Sequence, residues 1–196
     1  MAPYLQKALR QFDNIVPTKR HDSPYPHIEP KYGARQQYAE YDTSAPVGKD
    51  EQKRVQQVTG KFNWYARGVD GTLLTPISAL SAQQAKPTQL TMQRVKQFLD
   101  YAVTQEPAVT TYRACDMVLA IHSDAGYLNE EGGSRAGGHH FLSENVDNPS
   151  NNGAIYNEAS IIKSVMSSAA EAEIGALYIN AQKGVEERNI LEEMGH

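Results

Sequence analysis

Ser167-Ser168-Ala169-Ala170-Glu171-Ala172-Glu173-Ile174-Gly175-Ala176-Leu177 sets two carboxylates in a run of small residues that would let another backbone come close. Apolar or small positions recur at Ala170, Ile174, Leu177, Tyr178, Ala181 and Val185, a helical spacing that predicts one buried face. Ser167 or Ser168 is placed to cap this helix, and an acid in the first turn suits the positive end of its dipole. Taken alone, the stretch reads as a well-capped surface helix. A second acid upstream, Asp124, opens another reading.

The chain has 196 residues, 40% of them hydrophobic, enough for one domain with a sizeable core and an appendage or two. Its longest apolar run, Met117 to Ile121, is far too short to cross a bilayer, and the N-terminus has no apolar stretch of signal-peptide length. The expectation is a cytoplasmic, intracellular protein with no membrane partner. A single cysteine, Cys115, rules out an internal disulfide and a thiolate cluster for zinc.

A net charge of -4 argues against a free-standing, high-affinity nucleic-acid binder, since phosphate neutralisation needs clustered Lys and Arg. The average hides an asymmetry. Residues 1–67 hold 11 of the 19 basic residues and 7 of the 23 acidic ones, so they carry +4 and the remainder carries -8. An acidic half is compatible with phosphate chemistry if its acids hold metal ions, because the ions then meet the phosphate.

Residues 3–12 carry a helical stripe of Tyr4, Leu5, Ala8, Leu9 and Phe12. Five of the ten prolines then fall between Pro17 and Pro46, interleaved with Tyr25, His27, Tyr32 and Tyr38. This segment is expected to be extended, as a mobile linker or draped over a partner. Its alternative role is to contact a nucleic-acid strand through those tyrosines and Lys31 and Arg35. From Lys49 a helix is predicted through Val55, Val58, Phe62 and Tyr65, with Gly60 weakening its middle. Asp70 caps a shorter helix carrying Leu73, Leu74, Ile77 and Leu80, and a third runs from about Thr88 to Thr104.

After Glu106-Pro107 the pattern turns to strands. Val109 to Arg113 and Met117 to His122 are read as two strands pairing around Ala114 to Asp116, the second buried on both faces. Arg135 to Leu142 and Gly153 to Asn157 are two more, separated by the loop 143–152, and the Ser167 helix follows. Asp124 then stands at the end of the central strand. A buried-strand carboxylate is costly unless compensated, and a divalent cation shared with the acid of the following helix is one compensation; a polar turn beside Ala125-Gly126 is the other reading.

Three successive motifs carry a family resemblance. His122-Ser123-Asp124-Ala125-Gly126-Tyr127, Ser134-Arg135-Ala136-Gly137-Gly138-His139 and Ser167-Ser168-Ala169-Ala170-Glu171-Ala172-Glu173 resemble, in order, the RNase H region of copia-type LTR retrotransposon polyproteins. Tyr65-Ala66-Arg67, Lys86-Pro87-Thr88 and Phe98-Leu99-Asp100-Tyr101 resemble the segment that follows the reverse-transcriptase palm. The match extends from about residue 54 to the end, and residues 1–48 resemble the thumb-side linker more loosely.

The resemblance implies an α+β, RNase H-like fold over 107–196, with an incomplete mixed sheet and a packed helix. A helical connector over 49–106 and a Pro/Tyr-rich segment over 1–48 would precede it. It also implies that Asp124 and Glu173 are catalytic carboxylates and metal ligands. In the complete family site, such carboxylates hold two Mg²⁺ ions for hydrolysis of RNA in an RNA–DNA hybrid. Helical angle alone leaves Glu171 and Glu173 equivalent; the family register favours Glu173. The implied partners are an RNA–DNA hybrid or single-stranded nucleic acid and the rest of the polyprotein.

The departures from the family pattern carry expectations of their own. The family's later acids, beginning with an Asp-Asn motif on a strand after this helix, have no counterpart before Met194-Gly195-His196, and His140 stands where the pattern has an aromatic or apolar residue. The site is therefore expected to be incomplete and inactive in this chain, and the sheet marginal or completed by oligomerisation. The alternative function is that of a non-catalytic remnant, at most a nucleic-acid-binding or assembly module. His122, His139, His140 and His196 show no zinc-ligand spacing, and His139-His140 reads as a strand pair with one side chain facing each way.

Overall fold

The computed structural model describes residues 2–26, 41–105, 107–130 and 133–196. The chain is α+β, with five α-helices and one three-stranded antiparallel sheet among the described residues. It divides into two compact units, Met1–Val109 and Thr110–His196. None of the described helices is long and apolar enough to cross a membrane.

The first unit is helical: α1 (Ala2–Gln11), α2 (Lys49–Gly68), a 3-10 turn (Gly71–Leu73), α3 (Leu74–Gln83) and α4 (Gln89–Thr104). The stripes read from sequence are the ones that pack. Val55, Val58, Phe62 and Tyr65 of α2 are sealed from solvent with Leu80, Val95, Phe98 and Leu99, and Phe62 meets Phe98 edge-on at 4.9 Å between ring centroids. Thr88 caps α4 by accepting from the Thr91 amide, and Asp70 does the same for the 3-10 turn through Thr72.

Proline-rich chain drapes over these helices on both sides of residues 27–40. Asp100 of α4 is buried; Thr18 donates to it at 2.7 Å, Lys96 at 2.9 Å and Asn14 at 3.2 Å. Burial alone would push this carboxyl up, but those donors outweigh it and bring it down to about 2. Gln97 donates to the Ser23 carbonyl, and on the far side Pro46 bridges to Thr88. Residues 17–26 and 41–47 are therefore pinned, which corrects the mobile-linker expectation there. His27, Lys31, Tyr32, Arg35 and Tyr38 lie outside the described residues.

The second unit is a β-meander crossed by one long helix. β1 (Val118–Glu130), β2 (Gly133–Ser143) and β3 (Ala154–Ile162) form the order β1-β2-β3, all antiparallel, and α5 (Ala169–Glu193) packs mainly on β1 and β2. The expected mixed sheet is thus an antiparallel one. The expected strand Val109 to Arg113 is not formed. Asn152 takes up the Arg113 backbone instead, accepting from its amide at 2.8 Å and donating to its carbonyl at 3.0 Å, and Met117 turns the chain with φ 62. β1 also has only one strand neighbour among the described residues, so it is an edge strand there and not the central strand foreseen.

The largest correction concerns α5. Its buried residues are Ala172, Ala176, Asn180 and Gly184, one line at every fourth position, whereas Ile174, Leu177, Tyr178 and Val185 face solvent. The physical reason is proximity. A Cβ on Gly184 would press on Ile121, and one on Gly138 of β2 would overlap the Asn180 amide, so at these two crossings helix and sheet leave room only for glycine. Ala172 serves this close approach, while Ala169 and Ala170 are exposed.

Candidate functional site

Strand alternation decides which side chains meet α5. Ala125 packs with Ala136, Ile162 and Ala176, and Ser123 accepts from the Asn180 amide at 2.8 Å, so odd-numbered positions of β1 face the helix. Asp124, opposite Gly137 in the ladder, belongs to the other face and is exposed. It lies within β1 rather than at its end. Glu173 is an exposed residue in the first turns of α5. The two carboxylates are on different faces of the sheet.

Glu171 has a different duty. Its carboxylate accepts from the Ser167 amide at 2.8 Å while Ser168 accepts from the Glu171 amide at 3.2 Å, which closes the helix end. The Ser167 amide holds the Glu171 carboxyl below its ordinary value. Angle left the two acids equivalent; capping takes Glu171, and Glu173 has no such role.

The polar groups that do converge lie between α5 and the sheet. Asn180 is fully buried and donates from Nδ2 to Ser123 Oγ, to the Gly137 carbonyl at 2.9 Å and to the Ala176 carbonyl at 3.0 Å. Carbonyls only accept, so this fixes the amide and aims its Oδ1 at His140 Nε2, 2.9 Å away. Nε2 therefore carries a hydrogen. The other ring nitrogen, Nδ1, lies 2.7 Å from Glu187 Oε2. Beside it the Tyr156 ring meets His140 edge-on, and the Tyr156 hydroxyl donates to the nearly buried Glu158 at 2.8 Å. A buried network of this kind is stabilising where its members are satisfied, and here it ties α5 to β1 and β2.

The opposite face carries Asp124 with His122 and His139, a cross-strand pair whose rings stand 6.4 Å apart. His139 Nδ1 is 3.1 Å from Asn157 Oδ1. His139 and His140 do face opposite ways, as the strand period requires.

The residues present do not fit a two-Mg²⁺ centre. Such a centre needs several carboxylate oxygens converging on shared ions. Among the described residues no three His, Cys, Asp or Glu side chains come together to hold a metal ion, and Asp124 and Glu173 point from different faces. Sequence reasoning missed Asn180 and Glu187 because neither belongs to an apolar pattern. The available signal was the small or polar residue at every fourth position from Ala172 to Gly184. No protein-family model matches the chain, and neither does any curated protein or solved structure.

Proposed function

We propose that the chain is a part of a copia-type retrotransposon polyprotein that is catalytically inert by itself, a helical connector followed by the framework strands and helix of an RNase H-type nuclease. The observation that carries this reading is the coincidence of motif and element. The Ser-Asp-Ala motif lies on β1, the Ser-x-x-Gly motif on β2, and the Ser-Ser-x-x-Glu-Ala-Glu motif caps the helix that crosses both. In this reading the chain's own residues supply a scaffold. Asn180 and His140 fix the helix on the sheet, and Asp124 and Glu173, on different faces here, would meet a shared metal ion only with further carboxylates and a changed register of the first strand.

The test is cleavage of an RNA–DNA hybrid in Mg²⁺. This chain should leave the hybrid intact, and a longer chain that adds later acidic motifs should cut it and lose that activity on Asp124→Asn. Cleavage by this chain that disappears on Asp124→Asn would overturn its inertness. A longer chain that is inactive, or indifferent to Asp124→Asn, would overturn the nuclease reading.

A further inference from the structure

We propose that the outer face of α2, with the start of α1, binds a single nucleic-acid strand, Trp64 stacking on a base while lysines beside it meet the phosphates. The biological context rests on the polyprotein reading above; the geometry does not. Lys53, Gln57, Gly60, Trp64 and Arg67 follow one another at spacings of three or four residues, which sets them in one line down the helix, and all five are exposed. From Gln52 to Val69 the chain contains no acidic residue.

Trp64 is the anomaly that identifies the line. Its neighbours Phe62 and Tyr65 are sealed in the core, yet Trp64 is 54% exposed. Tyr4 of α1 backs the indole at 4.7 Å between ring centroids, and the Tyr4 hydroxyl donates to the Lys61 carbonyl at 2.9 Å. The Lys61 ammonium lies 5.4 Å over the Tyr4 ring, which holds a cation beside the indole. Lys7, one turn along α1 from Tyr4, is exposed as well. A stacking platform bordered by cations is what strand binding without sequence readout requires.

Gly60 fits the same purpose. Glycine weakens the middle of a helix, and packing within the unit does not ask for one here, since a Cβ would meet nothing within 4 Å. Its missing side chain leaves a step in the ridge between Gln57 and Trp64, where a sugar–phosphate chain can lie close to the helix. Charge agrees in sign. Residues 1–109 hold 14 basic against 10 acidic residues, and residues 110–196 hold 5 against 13, so a polyanion is drawn to the first unit.

The strand must be single, because one indole on a convex helix can stack only on a base that is splayed out. An anionic membrane is a poorer fit. The apolar face of α2 is already buried, and the exposed line offers only one large apolar side chain for insertion.

Trp64 is the only tryptophan in the chain, so its emission reads the contact directly. The full chain is titrated with an unstructured oligouridine of about a dozen nucleotides in Mg²⁺-free buffer. Binding should quench the emission and weaken with salt. Lys53→Gln with Lys61→Gln should flatten the dependence of log affinity on log salt by about 1.4. By fluorescence anisotropy, Trp64→Ala should weaken binding by about fivefold or more, whereas Trp64→Phe, which keeps a ring, should lose less. Binding that leaves the emission unchanged, or that ignores the lysine substitutions, overturns the proposal, as does absence of binding at low salt. A preference for phosphatidylserine vesicles or an acidic peptide over the oligonucleotide also overturns it. Leu177→Gln in the second unit should leave binding unchanged, and the binding test needs neither Mg²⁺ nor cleavage, so failure here and failure of the cleavage test are separate results.

Discussion

Two long helices of this chain were equally legible as amphipathic, and they behave in opposite ways. α2 buries the large apolar stripe its spacing announces, Val55, Val58, Phe62 and Tyr65. α5 turns its large apolar residues outward and buries Ala172, Ala176, Asn180 and Gly184. The difference lies in what each helix packs on. α2 meets other helices, which leave room for large interdigitating side chains, whereas α5 lies on a sheet so close that a glycine is needed opposite Asn180. Hydrophobic periodicity finds the face that is apolar; distance of approach decides which face is inside.

The sharpest way to break the comparison is Phe62→Ala. Phe62 is sealed and edge-on to Phe98, so its loss should cost about 3–5 kcal/mol in a urea melt followed by Trp64 emission. A change below about 1 kcal/mol would mean that the α2 stripe is not the core of the first unit.

A smaller effect is expected from Asn180→Ala in α5. It strands His140 Nε2 and the Gly137 carbonyl beneath the helix, with an expected loss of about 2 kcal/mol. Amide exchange should rise across α5 and β2 and stay unchanged over α2. Unaltered protection in α5 would show that the polar line does not hold the helix down.

The smallest effect should come from Leu177→Gln, an apolar residue of α5 that is 58% exposed; stability should move by no more than about 0.5 kcal/mol. A loss as large as that of Asn180→Ala would show that the outer stripe is covered after all.

The first unit was readable almost residue by residue, including the Asp70 cap and a helix starting near Thr88, because large side chains set its periodicity and short polar ones set its helix starts. The second was readable in order but not in detail. Met117 to His122 named only the apolar beginning of a strand that continues through Ser123-Asp124-Ala125-Gly126, and small residues carry no period that separates a strand from a turn. Tracing Val109 to Arg113 as a strand failed because Asn152, a single distant side chain, satisfies the Arg113 backbone in place of a strand. The candidate site was legible as two acids in the right order along the chain. Their separation by the sheet was not, since it follows from pairing partners that only the fold supplies.

That separation hangs on one residue of register. In a ladder whose side chains alternate, one codon gained or lost between Met117 and Asp124 would carry Asp124 onto the α5 face and take Ser123 away from Asn180. The same event would bury the strand's acid under α5 and leave the Asn180 amide without its serine. The seating of α5 thus depends on the count of residues along β1 as much as on their kind, because the serine that accepts from Asn180 and the acid that meets solvent are neighbours in the chain.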